Sequence, residues 1–157
     1  MSDKSIIINE ADGQAFWQPS VQGNCIKISP RNLPTTNQTI FVHELPQGGE
    51  APKHMHETNE EIFICLDGAG TITIDGKEMP FKKHDVAYLA PHSYHHIKAL
   101  SETPLKFMII ITPTGLEERL KLMGIPKKDP NETAPTSFES AIGKQSSHGV
   151  KKDSAGD

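Results

Sequence analysis

Residues 48–70 read GGEAPKHMHETNEEIFICLDGAG. Two histidines, His54 and His56, stand one residue apart. Two glutamates, Glu60 and Glu61, follow just before the apolar run IFICL, and glycines close the stretch. In an extended chain alternate side chains share a face. His54 and His56 therefore point one way, and Lys53, Met55 and Glu57 the other. Two inward imidazoles are poorly satisfied in an apolar core, whereas one metal ion satisfies both. After the turn through ETNE, Glu61 shares a face with Phe63 and Cys65, and Glu60 faces solvent. Imidazoles joined by a carboxylate suit a first-row transition metal better than Ca²⁺ or Mg²⁺.

A third histidine has to come from another strand. The segment HDVAYLAPHSYHHIKAL offers His84, His92, His95 and His96. The first two lie in turn contexts. If His95 faces inward, Ile97 and Ala99 accompany it. If His96 faces inward, Lys98 is buried with it, which is costly without a partner. His95 is the better ligand, and His96 is the alternative.

The surrounding chain has the punctuation of an all-β domain. Short β-branched runs (NCIKI, TIFVHEL, EIFICL, TITI, VAYL, HIKAL, LKFMIIIT) alternate with turn signals such as LPQGG, LDGAG, IDGK and SETP. This spacing predicts an antiparallel sandwich or barrel. Asp75-Gly76 marks a hairpin. After residue 113 the character changes. Leu116, Leu120 and Met123 fall at helical spacing ahead of Gly124. A polar, proline-rich linker follows, then a candidate second helix around Phe138, Ala141 and Ile142. The last residues, 151–157, are expected to be a disordered tail.

The chain has 157 residues, a net charge of −4 and two cysteines, Cys25 and Cys65. That length suits one domain. The charge argues against a nucleic-acid or membrane-surface partner. The cysteines have no CxxC pairing and are expected to be reduced in a cytoplasmic protein. The apolar run near the N-terminus is too short for a signal peptide.

These residues resemble the cupin superfamily. Its first motif, G-x5-H-x-H-x3,4-E-x6-G, is matched at Gly48, His54, His56, Glu61 and Gly68. The second, G-x5-P-x-G-x2-H-x3-N, keeps its histidine at His95, but its other fixed positions fall on His84, Ala90, His92 and Ala99. Aligned on His96 instead, the proline falls on Pro91. The flanks are similar to those of small bacterial quercetin-dioxygenase-like cupins. The resemblance implies a double-stranded β-helix jelly roll: lead-in strands over 1–37, a barrel core over 38–113 and a short helical extension over 114–150. It also implies a homodimer and a metal site of His54, His56, Glu61 and His95. The metal would be one divalent ion of Fe, Mn, Ni, Co, Cu or Zn. The implied chemistry is dioxygenation of a small enolic or phenolic substrate, with Glu61 as base. The alternatives are a non-redox isomerase, cyclase or lyase on the same barrel, and a ligand-binding module without turnover.

Tyr94, beside His95, is the candidate acid or hydrogen-bond donor to substrate. Phe16 and Trp17 are expected to close the barrel mouth or, preferably, to form an interface. His43 is expected at the surface or behind the ligands. Cys65 is expected to be a small core residue.

Overall fold

The computed structural model of the chain describes residues 4–18, 22–129, 132 and 150–152. Its first five strands are β1 (Gln14–Gln18), β2 (Gln22–Ile28), β3 (Thr39–Leu45), β4 (Glu50–His56) and β5 (Glu60–Asp67). Next come β6 (Ala69–Ile74), β7 (Lys77–Lys82), β8 (Val86–Leu89), β9 (His95–Ala99) and β10 (Leu105–Thr112). Helix α1 (Leu116–Met123), β11 (Ile125–Pro126) and β12 (Val150–Lys152) complete the described elements.

The strands form two antiparallel sheets. One is seven-stranded, in the order β11-β1-β2-β3-β10-β5-β8; the other is five-stranded, in the order β12-β4-β9-β6-β7. The expected all-β jelly roll is borne out. Strict alternation builds the core between the sheets: Leu105, Phe107, Ile109 and Ile111 of β10 are buried, and their neighbours are half-exposed. Phe41, Phe63, Ile72, Phe81 and Ile97 join them from both sheets. Phe81 of the smaller sheet meets Phe107 of the larger one edge-on, with ring centroids 6.0 Å apart.

The hairpin between β6 and β7 turns at Asp75-Gly76, where both residues have positive φ, 47° and 84°. Positive φ at both central positions matches the twist of the flanking strands, which is why Asp-Gly forecasts the turn. Gly68 follows β5 at φ 73°, and a Cβ there would run into the Pro104 carbonyl. A side chain costs about 1–2 kcal/mol in the left-handed region before any clash is counted.

The flanks depart from their expected roles. Phe16 lies in the core at 8% exposure and Trp17 at 9%, so neither is free to form an interface. Their strand is covered because α1 packs on it and β11 pairs with it. The segment after residue 113 is therefore not purely helical. It returns one strand to the larger sheet. Helix α1 is anchored by Glu117, whose carboxylate accepts hydrogen bonds from Thr39 Oγ1 (2.7 Å), Thr114 Oγ1 (2.9 Å) and the Gly115 N–H (2.7 Å). A carboxylate in the first turn also complements the helix dipole. The candidate second helix lies outside the described residues.

Of the tail expected to be disordered, Lys151 and Lys152 instead continue β12 and pair with Met55 and His54 of β4, and residues 153–157 lie outside the described residues. The polar composition misled because an edge strand recruits backbone, not side chains. No helix among the described residues is long and apolar enough to cross a membrane.

Candidate metal centre

Strand β4 delivers His54 and His56, β5 delivers Glu61, and β9 delivers His95. β4 and β9 pair directly, with His54 opposite His95. β5 belongs to the other sheet, so the carboxylate approaches from across the sandwich. One ring-nitrogen from each of His54, His56 and His95 lies within 4.8 Å of the others. Glu61 Oε2 sits 3.3 Å from His56 Nε2 and 3.1 Å from His95 Nε2. His56, Glu61 and His95 are 5%, 4% and 2% exposed.

The tautomers follow from the backbone. His54 Nδ1–H donates to the Pro52 carbonyl at 2.7 Å, and His95 Nδ1–H donates to the Ser93 carbonyl at 3.1 Å. Each ring thus keeps its Nε2 lone pair free, as in metal-ligating histidines whose other nitrogen is held. Burial, reinforced by His95, lowers the His54 pKa to about 4, so the ring is neutral at physiological pH. Burial alone would raise the Glu61 pKa, but His56 and His95 outweigh it and hold the carboxyl at about 2.

His56 Nε2, His95 Nε2 and Glu61 Oε2 are all buried without a hydrogen-bond partner. Their mutual distances are short, but they are not aligned as hydrogen bonds. Leaving one such atom unsatisfied costs about 1–3 kcal/mol. A cation held between the lone pairs relieves all of them at once. The three histidines could hold a metal ion, and Glu61 is placed to add an oxygen donor.

A model of the cupin domain matches residues 41–111, which carry all four of these side chains. An uncharacterized protein of Methanocaldococcus jannaschii is 32% identical over 96 residues, covering 61% of this chain and 77% of that relative. The chain belongs to the cupin family. The quercetin 2,3-dioxygenase of Bacillus subtilis is 29% identical over 93 residues; this cupin aligns over 59% of its own length and only 27% of that enzyme. Among solved structures, a predicted oxalate decarboxylase from Thermotoga maritima superposes with a TM-score of 0.63 at 21% identity, covering 69% of this chain and all of that one. At that identity the likeness is one of fold.

The other candidates separate cleanly. His96 faces away from the cupin cavity and pairs with Glu50, Nε2 to Oε2 3.0 Å. Glu60 accepts a hydrogen bond from the exposed Tyr88 hydroxyl at 2.9 Å. Tyr94 does not line the cavity, which corrects its candidacy as an acid or substrate donor. Its backbone bonds Asp75, and its ring lies 5.3 Å from Lys53 Nζ. Tyr94 lies in the loop just before β9, where its ring packs near Lys53 rather than facing the cavity. His84 and His92 are exposed, both with positive φ. Cys65 is a buried core residue and Cys25 is unpaired.

The histidines open onto a cavity of about 240 Å³, walled by Phe41, Phe63, Phe107, Ile109 and Ile111. His43 also lines it and is not a surface residue. Its Nδ1–H donates to Asn24 Oδ1 at 2.6 Å. The alternation of β3 carries the signal, since Phe41, His43 and Leu45 share the buried face. Helix α1 closes one side with Leu116, Arg119, Leu120 and Met123.

Proposed function

We propose that this cupin is a metal-dependent enzyme, a dioxygenase acting on a small enolic or phenolic substrate. The observation that supports the reading is the set of unpartnered donor atoms of His56, Glu61 and His95, gathered beside His54 against an apolar cavity. One divalent first-row transition ion, held by His54, His56, His95 and Glu61, would supply the electron chemistry with O₂. The chain's own residues do the remainder. The aromatic and branched walls exclude water and take an apolar ring. Glu61, ionised and buried, accepts the proton of the substrate hydroxyl. The likeness to a quercetin dioxygenase adds support, over a limited part of that enzyme.

The test is O₂ uptake by metal-loaded protein with flavonols, catechols and small diketones, run in air and under nitrogen. Turnover is expected to require O₂ and to fail when Zn²⁺ replaces the native ion. Turnover that persists without O₂, or with Zn²⁺, would assign a non-redox isomerase, cyclase or lyase. Saturable binding without turnover of any compound would assign a ligand-binding module.

We also propose a homodimer formed through the outer face of the seven-stranded sheet. Cross-strand register lines up Val42, Met108, Ile64 and Val86 in one row, and Ile40, Ile110, Ile62 and Tyr88 in the next. Val86 is 64% and Tyr88 57% exposed. An apolar face of this kind is what a two-fold contact can bury against its own copy, with Glu60 on the same face already held by the Tyr88 hydroxyl. Sedimentation equilibrium is expected to show a dimer for the wild type and a monomer for Val86→Glu. A monomeric wild type, or a dimer undisturbed by the substitution, would refute it.

A further inference from the structure

Besides Gln18 and Asn24, two polar side chains line the cavity without holding a metal. The first is His43. Burial lowers its pKa to about 4, so the ring is neutral, and Nδ1–H is committed to Asn24. Its Nε2 therefore carries a lone pair. That atom is buried without a partner in a side chain that lines the cavity. The second is Arg119. Leu116, Arg119, Leu120 and Met123 form one stripe of α1, and all four line the cavity. A cation stands in what is otherwise an apolar helix face. Its Nε donates to Met123 Sδ at 3.2 Å, and no carboxylate among the described residues pairs with it. The nearby acids are engaged elsewhere. Glu117 is satisfied by Thr39, Thr114 and Gly115, while Glu118 pairs with Arg31 and Lys121. Half-burial makes an unpaired guanidinium costly, and its lowered pKa has burial as the cause.

We infer that the ligand of this cavity is a hydroxylated carboxylic acid, its carboxylate paired with Arg119 and a hydroxyl donating to His43 Nε2. A planar guanidinium matches the two oxygens of a carboxylate. A single Arg neutralises one negative charge, which favours a carboxylate over a phosphate dianion. The lone pair on His43 selects a donor, which an enol or phenol supplies and a ketone does not. The inference rests on the proposed function only in taking this cavity as the substrate site, because neither residue depends on the metal.

The probes are 3,4-dihydroxybenzoate, catechol and benzoate, titrated calorimetrically into metal-loaded and chelator-stripped protein. The wild type is expected to bind 3,4-dihydroxybenzoate at least about tenfold tighter than catechol in both forms, the scale of a charge-assisted pair. Arg119→Gln is expected to erase that preference and Arg119→Lys to keep part of it, with metal content unchanged. His43→Phe is expected to weaken both hydroxylated probes about fivefold, one hydrogen bond's worth, and to leave benzoate alone. His43→Gln, which retains an acceptor, is expected to bind them as the wild type does. Equal affinity for 3,4-dihydroxybenzoate and catechol, a preference that survives Arg119→Gln, or no binding of any probe overturns the inference. A carboxylate preference in stripped protein that never loads metal upholds it while sinking the metal reading, so the two failures are distinguishable.

Discussion

Replacing His54, His56 or His95 by alanine is expected to abolish stoichiometric metal binding, while His96→Ala binds metal as the wild type does. Each of the three rings presents a nitrogen to the same small volume, within 4.8 Å of the other two. His96 is one residue from His95 but bonds Glu50 on the outer face. Loss of groups that merely support a ligand costs about 10–100-fold in metal affinity, so loss of a ligand should exceed that range. Elemental analysis of the four purified variants measures it, with thermal unfolding of each to establish that the fold is kept. Metal retained by the His95 variant and lost by the His96 variant would reverse the assignment.

Glu61→Gln is expected to remove turnover by about 10²–10⁴-fold, the contribution of a positioned proton acceptor, while keeping part of the metal. Glutamine still offers a carbonyl oxygen but cannot take a proton. Glu60→Gln should leave both metal content and rate at wild-type levels, because Glu60 serves only the exposed Tyr88 hydroxyl. The comparison is informative because the residues are adjacent and chemically identical, and only the face of β5 separates them. The rate of O₂ uptake per bound metal is the measurement. A Glu61→Gln protein with full rate per metal would limit Glu61 to a structural part. A Glu60→Gln protein as impaired as Glu61→Gln would show that the pleat does not separate their roles.

Much of the centre is legible because a strand has a period of two. Once His54 and His56 are read on one face, Glu61 is chosen over Glu60 by Phe63 and Cys65, both of which the structure buries. Lys98 likewise chooses His95 over His96, since it is exposed where Ile97 and Ala99 are not. That rule does not reach Tyr94, which precedes β9 in a loop, and only the structure shows that it stands outside the cavity wall. The burial of Phe16 and Trp17 is not legible locally, because their cover comes from α1 and β11, about a hundred residues later.

By itself the sequence determined the strand-rich fold, the Asp75-Gly76 hairpin, the helix at Leu116–Met123 and the faces on which His54, His56, Glu61 and His95 lie. All of these depend on local periodicity or on turn chemistry within a few residues. Only the tertiary structure decided that Asn24 and His43 form a pair across β2 and β3, that Arg119 stands in the cavity wall, and that Lys151 and Lys152 lie along β4. Each of these depends on which distant segments the sandwich brings together. That is settled by sheet order and core closure, for which a pattern of alternating side chains carries no address.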